Sequence, residues 1–126
     1  MKTMMMAMVV AGALATGGVA AARGGALDGK SFSGTVGEKG KTTGDAEVLT
    51  FKDGKLHSKA CDQYGFGDGA YTASTAGGVT TFEADTTSAK EGKMHWRGTV
   101  KGAAVEGSYV WTKAGQAPVE GWFKTK

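Results

Sequence analysis

The chain has 126 residues, with 15 Lys and Arg against 12 Asp and Glu, 22 glycines, one proline and one cysteine. A formal charge of +3, with the basic residues scattered along the chain, gives no electrostatic footprint for nucleic acid. A single cysteine cannot staple the domain to itself, and glycines without a strict period, set among aromatic residues, exclude a collagen helix or a disordered chain.

The first element is a targeting segment. In "MKTMMMAMVVAGALATGGVAAARGG" one lysine is followed by an uncharged run from Thr3 to Ala22, which closes on Ala20 and Ala22 in the A-x-A spacing of a cleavage site. Gly12, Thr16, Gly17 and Gly18 weaken its second half as a membrane span. The expectation is a signal peptide over residues 1–22, a periplasmic or secreted location, and no membrane association after cleavage. A lipoprotein would need its cysteine at the cleavage point, whereas Cys61 lies far downstream. Residues 23–126 then form one domain of 104 residues with a charge of +2, enough for one modest core.

Along the rest of the chain the apolar residues recur every second position. "SFSGTV" places Phe32, Gly34 and Val36 on one face, and "EVLTFK" places Leu49 and Phe51 together. Asp53-Gly54 is a tight-turn dipeptide leading into "KLHSKAC". "AYTAST" follows, then Gly77-Gly78, then "VTTFEADTT" with Phe82, Ala84 and Thr86 in phase. "KMHWRGTV" sets Met94, Trp96, Gly98 and Val100 against an outward row of Lys93, His95, Arg97 and Thr99. "AAVEGSYVWTK" groups Val105, Gly107, Tyr109 and Trp111, and "VEGWFKT" follows the lone Pro118. No amphipathic helix interrupts them.

These runs predict an all-β domain, an antiparallel meander of about eight strands closed into a small up-and-down barrel. Closure buries the single apolar face and removes exposed edges, and Gly34, Gly98, Gly107 and Gly121 stand where strands must coil. An export signal, such a meander, the aromatic-x-Gly openings "FSG" and "WRG" and the final "GWF" resemble the calycin-type barrels: lipocalins, avidins and fatty-acid-binding proteins. The resemblance is one of pattern over most of the mature chain. "GKSF" departs from the lipocalin Gly-x-Trp, no avidin ligand motif can be laid on the chain, and no specific ligand carries over. It implies either a ligand cavity or a filled barrel.

An eight-stranded interior is just wide enough to be filled by side chains or to hold one small ligand. Aromatic residues at strand period ordinarily mean burial, while glycines beside them either leave a pocket or are covered by neighbouring rings. The "CDQYGFGDG" loop is longer than a hairpin needs, and reads either as a lid carrying Tyr64 and Phe66 or as a wide turn whose aromatics cap the core. Cys61 is open to three roles: a buried small side chain, a disulfide between two chains, or a metal or redox centre with His57. In a continuous strand those two residues would stand ~13 Å apart. Haem-attachment, EF-hand and nucleophile-elbow motifs are absent, so no cofactor is expected.

The functional expectation is an exported, non-enzymatic barrel that binds a small, largely apolar molecule at its open end through Trp96, Tyr109, Trp111, Tyr64 and Phe66. Its alternatives are a filled structural or interaction module of the cell envelope, and a metal or thiol site around Cys61 and His57.

Overall fold

A computed structural model describes residues 25–125; the expected signal peptide lies outside the described residues. The described strands are β1 (Ser31–Glu38), β2 (Asp45–Lys52), β3 (Lys55–Ser58), β4 (Gly69–Ala76), β5 (Val79–Ser88), β6 (Gly92–Lys101), β7 (Ala104–Thr112) and β8 (Val119–Thr125). Each pairs antiparallel with its sequence neighbour, and β8 pairs back onto β1, so the meander closes into a barrel. The inward phase is the apolar one read from the sequence: Phe32, Leu49, Phe51, Leu56, Phe82, Trp96, Val105 and Phe123 are all buried. The outward phase is polar: Glu83 stands opposite Arg97 across β5 and β6, and the His95 ring meets Asp85 at 2.7 Å and Glu83 at 3.3 Å.

One end of the barrel is closed. There the strands turn in two residues, at Asp53-Gly54, Gly77-Gly78 and Gly102-Ala103. Asp53 and Gly54 both take positive φ, 53° and 76°, the backbone twist that a two-residue hairpin requires. Residues 25–30 cross beneath this end. The Gly29 amide donates to the Phe51 carbonyl at 2.7 Å and Phe51 donates to Lys30 at 2.9 Å, seating Leu27 in the core. Tyr71 locks the crossing: its hydroxyl accepts from the Leu27 amide at 3.0 Å and donates to Asp28 Oδ1 at 2.7 Å. Burial, with the Asp28 bond and charge adding, pushes the Tyr71 hydroxyl up to about 12. Above it Phe51 meets Tyr71, Phe82 and Phe32 edge-on, at centroid distances of 4.9, 5.1 and 6.1 Å.

The other end carries the longer connections, at residues 39–44, 59–68, 89–91 and 113–118. Here the sequence expectation needs a correction. The run "KLHSKAC" does not continue as a strand to Cys61; it leaves the sheet at Ser58 and enters a 3-10 turn, Lys59–Tyr64. The Ala60 amide donates to the Glu47 carboxylate at 2.9 Å, and the turn closes on Gly65, at φ 81°. The pairing of β3 with β4 is accordingly brief, only Lys55 with Ala70 and Leu56 with Gly69.

Candidate functional site: a cavity at the open end

Side chains fill the barrel as far as Phe82, whose ring covers Gly98, and leave a cavity of about 600 Å³ beyond it. That volume lies within the roughly 300–1,000 Å³ of small-molecule sites. Tyr64, Phe66, Trp96, Tyr109 and Trp111, the five residues singled out from the sequence, all line it. Strand register explains the grouping of three: Trp96 of β6 pairs directly with Tyr109 of β7, and Met94 with Trp111, so one continuous wall is aromatic and thioether. The Trp96 and Tyr109 rings stand 5.4 Å apart, tilted at 51°. Tyr109 lies across Gly121 of β8, and a β-carbon there would overlap its ring. The glycine therefore admits the ring instead of leaving a gap.

The mouth is held by hydrogen bonds. Trp111 Nε1 donates to the Glu91 carbonyl at 2.6 Å, and Lys113 pairs with the Glu91 carboxylate at 3.0 Å. Trp122 Nε1, on the outer face, donates to the carbonyls of Glu38 and Lys41 and fixes the β1–β2 connection. The 59–68 segment divides between the two roles read for it. Phe66 is buried and caps the core, whereas Tyr64 is 50 % exposed at the rim. Its fastenings are the Gly67 amide to Thr87, Ser88 Oγ to the Tyr64 carbonyl, and His57, whose ring nitrogens meet Asp68 at 2.6 Å and Asp62 at 3.1 Å. The Asp68 bond, aided by both negative charges and opposed by partial burial, raises the His57 pKa.

The structure does not bring Cys61 and His57 together. His57 points outward between its two aspartates, while Cys61, 8 % exposed, turns inward to the cavity wall. Burial pushes the Cys61 thiol up, so it is held as the protonated, weakly nucleophilic form. No group of three His, Cys, Asp or Glu side chains among the described residues is arranged to hold a metal ion.

Sequence reasoning missed the acidic side of the cavity. Glu47 is only 2 % exposed and lines it, accepting from Ser58 Oγ and from the amides of Val48 and Ala60 at 2.8 and 2.9 Å. Burial raises its pKa, against the lowering effect of those three bonds. Glu38 and Asp45 line the rim above it. The signal was present: Glu38 stands two residues after Val36, and Asp45 and Glu47 precede Leu49 in the same phase.

Two buried polar atoms among the described residues have no hydrogen-bond partner, Trp96 Nε1 and Thr86 Oγ1. Comparison with protein families, with curated proteins and with solved structures gives no match to this chain.

Proposed function

We propose that this protein is an exported, non-enzymatic barrel of calycin type that binds one small, largely apolar molecule in its open end. The observation that carries the reading is the cavity of about 600 Å³ walled by Trp96, Tyr109, Trp111, Phe66 and Tyr64. Such a wall offers a large apolar contact area that needs no ordering on binding, because the rings are already packed and Trp111 is already hydrogen-bonded. The polar outer face supports a barrel whose interior, not its exterior, receives apolar molecules. The protonated thiol of Cys61 supports a binding role over a nucleophilic one.

The test is titration with N-phenyl-1-naphthylamine, an uncharged apolar fluorophore, read by quenching of tryptophan emission and by calorimetry. Saturation at one probe per chain is expected, weakened about tenfold or more in Trp111→Ala, which removes one face of the wall. A folded protein that takes up no probe would sink the proposal.

A further inference from the structure

We infer that the ligand is a cationic amphiphile, an apolar body carrying an amine or quaternary ammonium group, with the cation held at the rim between Tyr109, Glu38 and Asp45. This rests on the binding reading above and adds the chemical class. Around the barrel the aromatic wall of β6 and β7 and the acidic wall of β1 and β2 are separated by one strand, β8, whose inward residues at this level are Val119 and Gly121. One rung of the sheet links them: Tyr109 pairs with Gly121, and Gly121 pairs with Glu38. Since the Tyr109 ring lies over Gly121, it projects toward the strand that carries Glu38. The Tyr109 hydroxyl registers this. Burial raises its pKa most, and the nearby carboxylates of Glu38 and Asp45 raise it further.

An apolar chain alone would gain nothing from carboxylates at the entrance, since their desolvation opposes its entry. A cation inverts that balance. It meets the electron-rich ring of Tyr109 and two carboxylates in one place, while the body reaches Met94, Trp96 and Trp111 below. The remaining charges at the mouth leave this preference standing. The Glu91 carboxylate is paired with Lys113 at 3.0 Å, so among the described residues Lys41 is the one lining cation set against Glu38, Asp45 and the hydrogen-bonded Glu47.

The test compares three molecules with the same ten-carbon chain, decyltrimethylammonium, 1-decanol and decanoate, each below its aggregation concentration, by calorimetry and tryptophan emission. The cation is expected to bind about tenfold more tightly than the alcohol and the anion most weakly, with added salt narrowing the gap. In the double variant Glu38→Gln with Asp45→Asn, at two exposed rim positions, the cation should lose its advantage and bind no more tightly than the alcohol. Equal affinities for cation and alcohol, or tightest binding of decanoate, would overturn the cationic assignment and leave the apolar-ligand reading standing. Failure of all three to bind the folded protein would overturn both.

Discussion

At the closed end of the barrel Phe51 touches the rings of Phe32, Tyr71 and Phe82, and successive strands turn in two residues. At the open end the same strands carry Glu47, Trp96 and Trp111 around a cavity and are joined by segments as long as residues 59–68. The difference is not one of hydrophobicity, since both ends are rich in aromatic residues. It lies in what the rings touch. Phe51 is surrounded by rings on several strands, so its neighbours interlock; Trp96 is buried behind Tyr109 along one wall, and Tyr109 and Trp111 stay only half-buried at the cavity. The closed end also has its own cover, the crossing at residues 25–30 pinned by Tyr71; at the open end the described residues offer only the segment fastened by His57, Glu47 and Ser88. Stability and binding should therefore separate along the barrel axis.

The largest effect that tests this separation is Phe51→Ala. Losing a ring in contact with three others should cost about 3–5 kcal/mol in urea unfolding. Probe affinity, measured well below the unfolding midpoint, should stay within about twofold because the cavity is untouched. Equal loss of both would mean that the two ends are not independent.

Gly121→Ala acts where the two roles meet. Its added methyl overlaps the Tyr109 ring, so the ring must move, at a cost of about 1–3 kcal/mol and with weakened probe binding. Gly67→Ala is the control, because a β-carbon there meets nothing within 4 Å, and it should shift stability by less than about 0.5 kcal/mol. Thr86→Val removes a buried hydroxyl that has no partner and nearly keeps its shape, so thermal unfolding should show a gain of about 1 kcal/mol.

The smallest effect is a pH slope confined to the open end. Glu47 has a folded pKa above its ordinary 4.5, so the folded state holds its proton longer and stability declines as pH rises through that window. His57 is also raised above its ordinary 6.5; its contribution is complete below that value and is lost as pH rises through the higher folded value. Urea midpoints across pH should therefore lose the acid-side part of the slope in Glu47→Gln, whose oxygen can still accept from both amides while its NH2 donates to Ser58 Oγ, and the near-neutral part in His57→Gln. A slope unchanged in both variants would place the titrating groups elsewhere.

Much of this was legible in the chain before any coordinates. The alternation in "KMHWRGTV" and "AAVEGSYVWTK" is a property of neighbouring residues, and the β-strand turns it into an inner and an outer face without reference to the rest of the molecule. Asp53-Gly54 and Gly77-Gly78 set the direction of the chain for the same local reason. Together they determined the all-β class, the meander order and the inward set that includes Trp96, Tyr109 and Trp111. What only the tertiary structure decided depends on residues distant in sequence. β3 stops at Ser58 because a carboxylate on β2 captures the Ala60 amide, a contact across 13 positions. Whether a ring covers a glycine or leaves a gap depends on strand register, which brings Tyr109 over Gly121 and Phe82 over Gly98. That the barrel is packed below and hollow above is decided by closure and by contacts distant in sequence: the twist of eight strands sets the interior width, and among the described residues the 25–30 crossing fills the closed end with Leu27, whereas the 59–68 segment covers the open end in part, through Phe66.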